Sequence, residues 1–285
     1  MDTQAFLSAW EHIPRGFHYH ENGNGTGSFT LPALDALPCV QNAFSARIGG
    51  VSAGDAQYLN LSMTREKYEP RAVTEENYRI FCAGESIAPD SMVMDHYEHG
   101  ATVLCVDSGD CGKGWTRPPL PHCDGLVTND PGVTLVTGHA DCMAFYFVDP
   151  VQRAIGLAHA GWRGALARIG AETVRMMAQS FHCNPADIVA GVGPSLCAAH
   201  FEVDEELGDT FERAFPYTRC KSAGRPGKAH VDLWQVEICQ LLEAGVTPEH
   251  LSLSGVCTYE EPRLYSYRRD KEQTGGMAAF LRLIP

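Results

Sequence analysis

Basic residues are scarce in this 285-residue chain: 22 lysines and arginines stand against 35 aspartates and glutamates, a formal net charge of −13. That balance excludes a nucleic-acid backbone as the main partner, because such binders carry a basic footprint. An anionic small molecule would need a local cationic pocket. Long apolar runs are missing too. No stretch approaches the roughly 18 residues that would span a membrane, and MDTQAFLSAWEHIP at the start has neither the basic region nor the apolar run of a leader. The chain is therefore expected to be soluble, unexported and cytoplasmic. A solenoid-length repeat and a Pro/Ser-rich linker are also absent, so one domain is expected over 1–285, with 1–39 as a less readable N-terminal extension. The eleven cysteines are odd in number and lack the spacing of a disulfide-stapled scaffold, which predicts free thiols.

What is present is an interleaving of short apolar runs and amphipathic segments, the signature of a mixed α/β fold. The chain is organised around TGHADCMAFYFVDPVQRAIGLAHAGWRG at 137–164. Two apolar runs, 143–148 and 154–157, are joined by the turn signal Asp149-Pro150 and read as buried strands. Cys142 stands where the first begins and His159 where the second ends. An antiparallel hairpin would bring the two side chains to one sheet edge. There a thiolate and an imidazole are either part of a metal site or a nucleophile with its base; a cysteine beside an apolar run is otherwise a small core hydrophobe. Asp141 and His139 are close by in sequence.

Strands are predicted at 40–47, 102–106, 124–128, 133–137, 188–192, 251–256, 264–269 and 277–284. Helices are predicted around Val73, Tyr78 and Phe81, and over 165–181, 203–215 and 230–244, where Gly245 is a stop signal. RIGGVS at 47–52 places a Gly-Gly turn between Arg47 and Ser52, a weak anion-binding signal. The helix after Arg163-Gly164 offers amides and a guanidinium to phosphate. His99 lies just before a buried strand, and 107–121 is a Gly- and Pro-rich loop. His18 and His20 alternate on one strand face as a metal pair or, on the better odds, as surface histidines. His96-Tyr97-Glu98 matches half of the zinc deaminase signature, but the P-C-x-x-C half is absent. Cys105, Cys111 and Cys123 lack zinc-ribbon spacing.

In order along the chain, RIGGVS (47–52), HG (99–100), HADC (139–142), AHAGWRG (158–164), GPS (193–195), CTY (257–259) and SYRRD (266–270) resemble the YfiH-type family. That family was formerly labelled polyphenol oxidoreductase or laccase-domain proteins and is now described as zinc-dependent purine nucleoside phosphorylases. The resemblance runs from about Val40 to the C-terminus. It implies a layered α/β/β/α sandwich with mixed sheets, similar to the cytotoxic-factor deamidases, and a single catalytic domain. It also implies a zinc ion held by His99, Cys142 and His159. The activities implied are phosphorolysis of adenosine, inosine, guanosine and methylthioadenosine, and deamination of adenosine. The expected partners are thus purine nucleosides and phosphate, with no nucleic acid or membrane, in a monomer or weak homo-oligomer. Three places depart from the family pattern: Tyr97-Glu98 precede His99-Gly100 where Gln-Val is usual, His139 replaces a Thr, and Gly276 replaces an Arg.

Phosphorolysis holds phosphate against C1′ of the ribose while negative charge builds on the departing purine, so cations near both ends lower the barrier. On that reasoning Cys142, His159 and Asp141 are the candidate catalytic residues, and Arg47, Asn60 and Arg163 the candidate contacts to phosphate or ribose. Three rivals stand beside this reading, one of them non-enzymatic: a zinc-bearing partner of a division or envelope complex, which would turn over no nucleoside. A copper-dependent polyphenol oxidase needs many histidines, often as His-x-His, and the chain has one such pair. A Cys142–His159 hydrolase or amidase acting on peptidoglycan precursors would need the thiol free of metal.

Overall fold

The structure, a computed structural model, describes residues 2–54, 58–63 and 69–284. The chain begins with α1 (Thr3–His12), β1 (His18–Glu21), β2 (Gly27–Thr30), α2 (Pro32–Asp35), β3 (Val40–Ser45), α3 (Arg71–Gly84), β4 (Met92–Met94) and β5 (Val103–Cys105). The middle carries β6 (Gly125–Thr128), β7 (Thr134–His139), β8 (Met143–Asp149), β9 (Ala154–Ala160), α4 (Trp162–Leu166), α5 (Ile169–Phe181) and β10 (Val189–Val192). It ends with β11 (Glu202–Asp204), α6 (Glu205–Ala214), β12 (Lys221–Ala223), β13 (Lys228–Val231), α7 (Leu233–Glu243), β14 (Leu251–Leu253), α8 (Tyr267–Asp270) and β15 (Met277–Leu283).

Among the described residues the strands form two six-stranded sheets, β1-β2-β3-β15-β7-β4 and β14-β10-β8-β9-β6-β5, and a three-stranded ribbon, β11-β13-β12. Both large sheets are mixed: β4 pairs parallel with β7, and β5 with β6, while β8 and β9 are antiparallel. The period-2 alternation of strand side chains explains how they stack. On β15, Met277, Ala279, Leu281 and Leu283 join the core between the sheets, while Ala278 and Phe280 meet Tyr78 and Phe81 of α3 on the outer face. On β8, Ala144, Tyr146 and Val148 face inward between the sheets, and Phe145 and Phe147 pack beneath α5 and α7. The layers are therefore α/β/β/α, as the resemblance implied. Strands covered on both faces also account for the unbroken apolar run of β8, since no position faces water.

Several predicted elements shift. Residues 264–269 form no strand: the Ser266 hydroxyl accepts from Arg269 N–H and starts the one-turn helix α8, while the Arg269 guanidinium donates to the carbonyls of Thr258, Tyr259 and Leu264. The helix expected over 165–181 begins earlier, at Trp162, and breaks at Arg168, whose left-handed φ of 64° separates α4 from α5. Residues 203–204 belong to β11, and α6 starts only at Glu205. The unreadable N-terminal stretch is integrated: β1 and β2 extend a sheet edge, Phe6 and Ile13 join the core around α7, and Gly16 N–H donates to Leu253 O. No helix among the described residues is long and apolar enough to cross a membrane.

Candidate active site

The β8–β9 register aligns Ala144 with His159 and Met143 with Ala160. His159 thus shares a strand face with Ala144 and, two residues further out, Cys142, and this is the face turned toward the other sheet. The predicted neighbours do meet. His99 reaches the same point from the loop before β5, and donor atoms of His99, Cys142 and His159 lie within 4.8 Å of one another. Gly161 is required here, since a Cβ on it would stand 2.8 Å from His99 Cδ2 and 3.2 Å from Cys142 Sγ.

A residue that sequence reading passed over holds this trio. Asp124, fully buried just before β6, accepts from the backbone N–H of His99 (2.8 Å) and Gly100 (2.9 Å), fixing His99 at a left-handed φ of 65°. It also accepts from His159 Nδ1 at 3.3 Å. A carboxylate can only accept, so Nδ1 carries the proton and Nε2 is the nitrogen left to bind a ligand. Burial works against the Asp124 charge, but its bonds to His159 and Gly100 prevail and hold its pKa below the ordinary value.

The same logic governs the thiol. Burial opposes a Cys142 thiolate, yet the cationic His159 beside it and hydrogen bonds from His159 and His99 bring it down to about 6. Burial likewise opposes the His159 cation, and Cys142 and Asp124 outweigh it, raising His159 to about 10. A thiolate and two imidazoles, one braced by a carboxylate, are a donor set of the kind that suits zinc.

The cavity beside them has a volume of about 500 Å³, within the range for a small-molecule site. Met63, Tyr97, Trp162, Phe201, Leu233 and Tyr267 give it apolar and aromatic walls; Arg163 and Arg268 supply its cations. Arg163 stacks over Trp162 with 4.2 Å to the ring centroid. Asp95, another residue the sequence reading gave no role, lines the wall. Burial raises its carboxyl to about 7 against the pull of His159 and the Gly138 amide, and its Oδ2 has no hydrogen-bond partner among the described residues.

The other predicted residues are dispersed. Asp141, at φ 84°, lines the cavity, but its carboxylate accepts from Thr258 Oγ1 (2.6 Å) and Arg268 N–H (2.5 Å), so it fastens two loops to the rim. Asn60 is buried outside the cavity, where its Oδ1 accepts from Ser62 and Gly276 N–H. Arg47 packs over the Tyr265 ring at 4.6 Å and lines a separate surface depression with Arg269 and residues 270–273. In the adjoining Gly-Gly turn, Val51 N–H donates to Asn77 Oδ1 and Ser52 N–H to Tyr58 O. His139 is buried on β7; its Nδ1 donates to Cys142 O (3.1 Å), its Nε2 accepts from Thr137 Oγ1 (2.7 Å), and burial first and His159 second keep it neutral. His18 and His20 lie exposed beside Asp35.

Fold and site together define a layered mixed α+β protein in which His99, Cys142 and His159 meet at the wall of a cavity. The chain belongs to the family described as multi-copper polyphenol oxidoreductase laccase, whose model matches residues 41–284. It is 36% identical over 263 residues to the purine nucleoside phosphorylase of Deinococcus radiodurans, covering 89% of this chain and 95% of that one. It is 34% identical over 243 residues to purine nucleoside phosphorylase YlmD of Bacillus subtilis, covering 84% and 86%. Among solved structures, YlmD from Geobacillus stearothermophilus superposes with a TM-score of 0.86 at 29% identity, covering 94% of this chain and 99% of that one.

Proposed function

We propose that the chain is a zinc-dependent purine nucleoside phosphorylase acting on adenosine, inosine, guanosine and methylthioadenosine, with an accompanying adenosine deaminase activity. The observation that carries this reading is the convergence of His99, Cys142 and His159 on a cavity whose walls are aromatic and whose cations are arginines. The names of the relatives support the same reaction class. When bound by His99, Cys142 and His159, a zinc ion would supply fixed positive charge toward phosphate and ribose and would acidify water for deamination.

The chain's own residues do the rest. Trp162, Tyr97 and Tyr267 offer flat faces to a purine. Arg163 and Arg268 bring guanidinium groups to phosphate, and they matter more because Gly276 removes the cation usual at that place. In the reaction the C1′–N9 bond breaks with its electron pair leaving on the purine, while a phosphate oxygen bonds C1′.

Elemental analysis of the purified chain, paired with a phosphate-dependent assay of inosine to hypoxanthine, tests the proposal. Zinc, of which about one equivalent is lost in His159→Ala, and turnover that needs phosphate are expected; copper in its place with phenol oxidation instead would overturn it. A second reading rests on the thiolate–imidazolium character of Cys142 and His159, which also suits a cysteine hydrolase. Metal-free protein that retains turnover and loses it on alkylation of Cys142 would favour that reading.

A further inference from the structure

A second group of metal-binding side chains lies away from the cavity triad, where two tight turns meet. The segment after β10 turns at 197–200, with His200 N–H donating to Cys197 O, and the segment after β14 turns at 257–260, with Glu260 N–H donating to Cys257 O. Each turn carries a cysteine and, three residues on, another donor: Cys197 with His200, and Cys257 with Glu260. The turns are pinned side by side, Ser195 N–H to Val256 O and Thr258 N–H to Ser195 O.

Three of the donors crowd one atom of the fourth. His200 Nδ1 lies 3.2 Å from Cys197 Sγ, 3.6 Å from Cys257 Sγ and 3.4 Å from Glu260 Oε1. A ring nitrogen bears at most one proton, so it cannot donate to three acceptors at once. A shared cation satisfies all four donors together. The spacings also fit one: with zinc bonds of about 2.3 Å to sulfur and about 2.0–2.1 Å to nitrogen or oxygen, a tetrahedron has edges of about 3.5 Å between S and N and about 3.3 Å between N and O. Tyr259 stacks flat on the His200 ring, 4.1 Å between centroids, and sets its orientation.

We propose that Cys197, His200, Cys257 and Glu260 form a second metal site, a closed tetrahedral set of two thiolates, one imidazole and one carboxylate for a thiophilic divalent cation of the zinc class. Four protein donors leave no position for substrate, so the site is structural. Its cation clamps the 197–200 turn to the 257–260 turn. From there the clamp reaches the cavity, because Thr258 Oγ1 donates to Asp141, Trp234 Nε1 donates to Ser195 Oγ, and Ser195 and Asp141 both line the cavity.

The test titrates Co²⁺ into the full Cys142→Ala/His159→Ala chain, which lacks the cavity's thiolate, and follows thiolate-to-cobalt absorption in the near ultraviolet. One equivalent of Co²⁺ with that absorption is expected, abolished by adding Cys257→Ser. No such absorption, or absorption that survives Cys257→Ser, overturns the site. So does freshly reduced, metal-free protein in which Cys197 is joined to Cys257. Glu260 is largely exposed, so Glu260→Gln in the otherwise native chain guards against misfolding as the cause. It is expected to weaken the second equivalent of Zn²⁺ by about tenfold and leave the first unchanged; an unaltered second equivalent overturns the proposal. None of these readouts uses a nucleoside, so failure of the phosphorylase reading would leave this result standing.

Discussion

The cavity triad and the 197–260 cluster use the same donors in opposite ways. His99 comes from a loop and Cys142 and His159 from the ends of facing strands; a buried carboxylate holds the two histidines, and all three line a 500 Å³ space. The four residues of the cluster come from two turns of i, i+3 spacing and close on themselves. On the two proposals above, three donors beside a cavity would leave room for chemistry, whereas four donors in paired turns would leave room only for bracing. Placement of the donors, more than their identity, separates a reactive site from a clamp.

The largest effect that would break this contrast is expected from His159→Ala. Loss of the cavity metal and a drop of about a hundred- to a thousandfold or more in inosine phosphorolysis should follow, read by elemental analysis and single-turnover assay. The cluster's metal should remain. If activity persists with the cavity metal gone, the triad is no more reactive than the clamp.

Next in size is Asp124→Asn. His99 N–H and His159 Nδ1 share Oδ1 while Gly100 N–H meets Oδ2, so the one oxygen of an amide can serve only one side, its NH2 faces a donor on the other, and a charged or strongly polarised His159 is no longer stabilised. Cavity zinc affinity should fall by about 10–100-fold, measured by competition with a chelator, with little change at the cluster. A smaller effect is expected from Cys257→Ser: the melting temperature should fall by a few degrees and KM should rise more than kcat falls, because Asp141 and Ser195 lose their outer support. Equal losses in both variants would mean that the two sites are not distinct in role.

The contrast also shows what a sequence can reveal. The β8–β9 hairpin was legible because both strands are buried on two faces, which leaves unbroken apolar runs with a Cys and a His at their ends. Asp124 was not legible as the brace. Its hydrogen bonds run 24 to 35 residues along the chain, and its only local signal is an acid opening an apolar strand. Asn60 and Arg47 carried polar signals, yet tertiary contacts direct them to loop anchoring and ring packing. Conversely, the C-x-x-H at 197–200 was written plainly in the sequence. It gains meaning only when the parallel bridge Ser195–Cys257 brings a second such turn beside it.

The smallest effect concerns what a buried carboxylate does without a cationic partner at hand. Asp124 is charged because His159 and backbone amides face it, whereas Glu237, fully buried on α7, accepts from Gln240, and its Oε1 has no hydrogen-bond partner among the described residues. Burial, only weakly countered by Arg168, raises its pKa well above the ordinary value. Folding above the unfolded pKa of about 4.3 must therefore take up a proton or bury a charge. This penalty is absent at lower pH and grows as pH rises toward the folded pKa. Glu237→Gln keeps an acceptor for Gln240 and removes the ionisation, so its stability gain should be near zero at pH 4.5 and grow steadily toward pH 8, read from urea midpoints. A gain that does not change with pH would show that Glu237 carries no ionisation penalty, and the distinction between partnered and unpartnered buried acids would fail at that position.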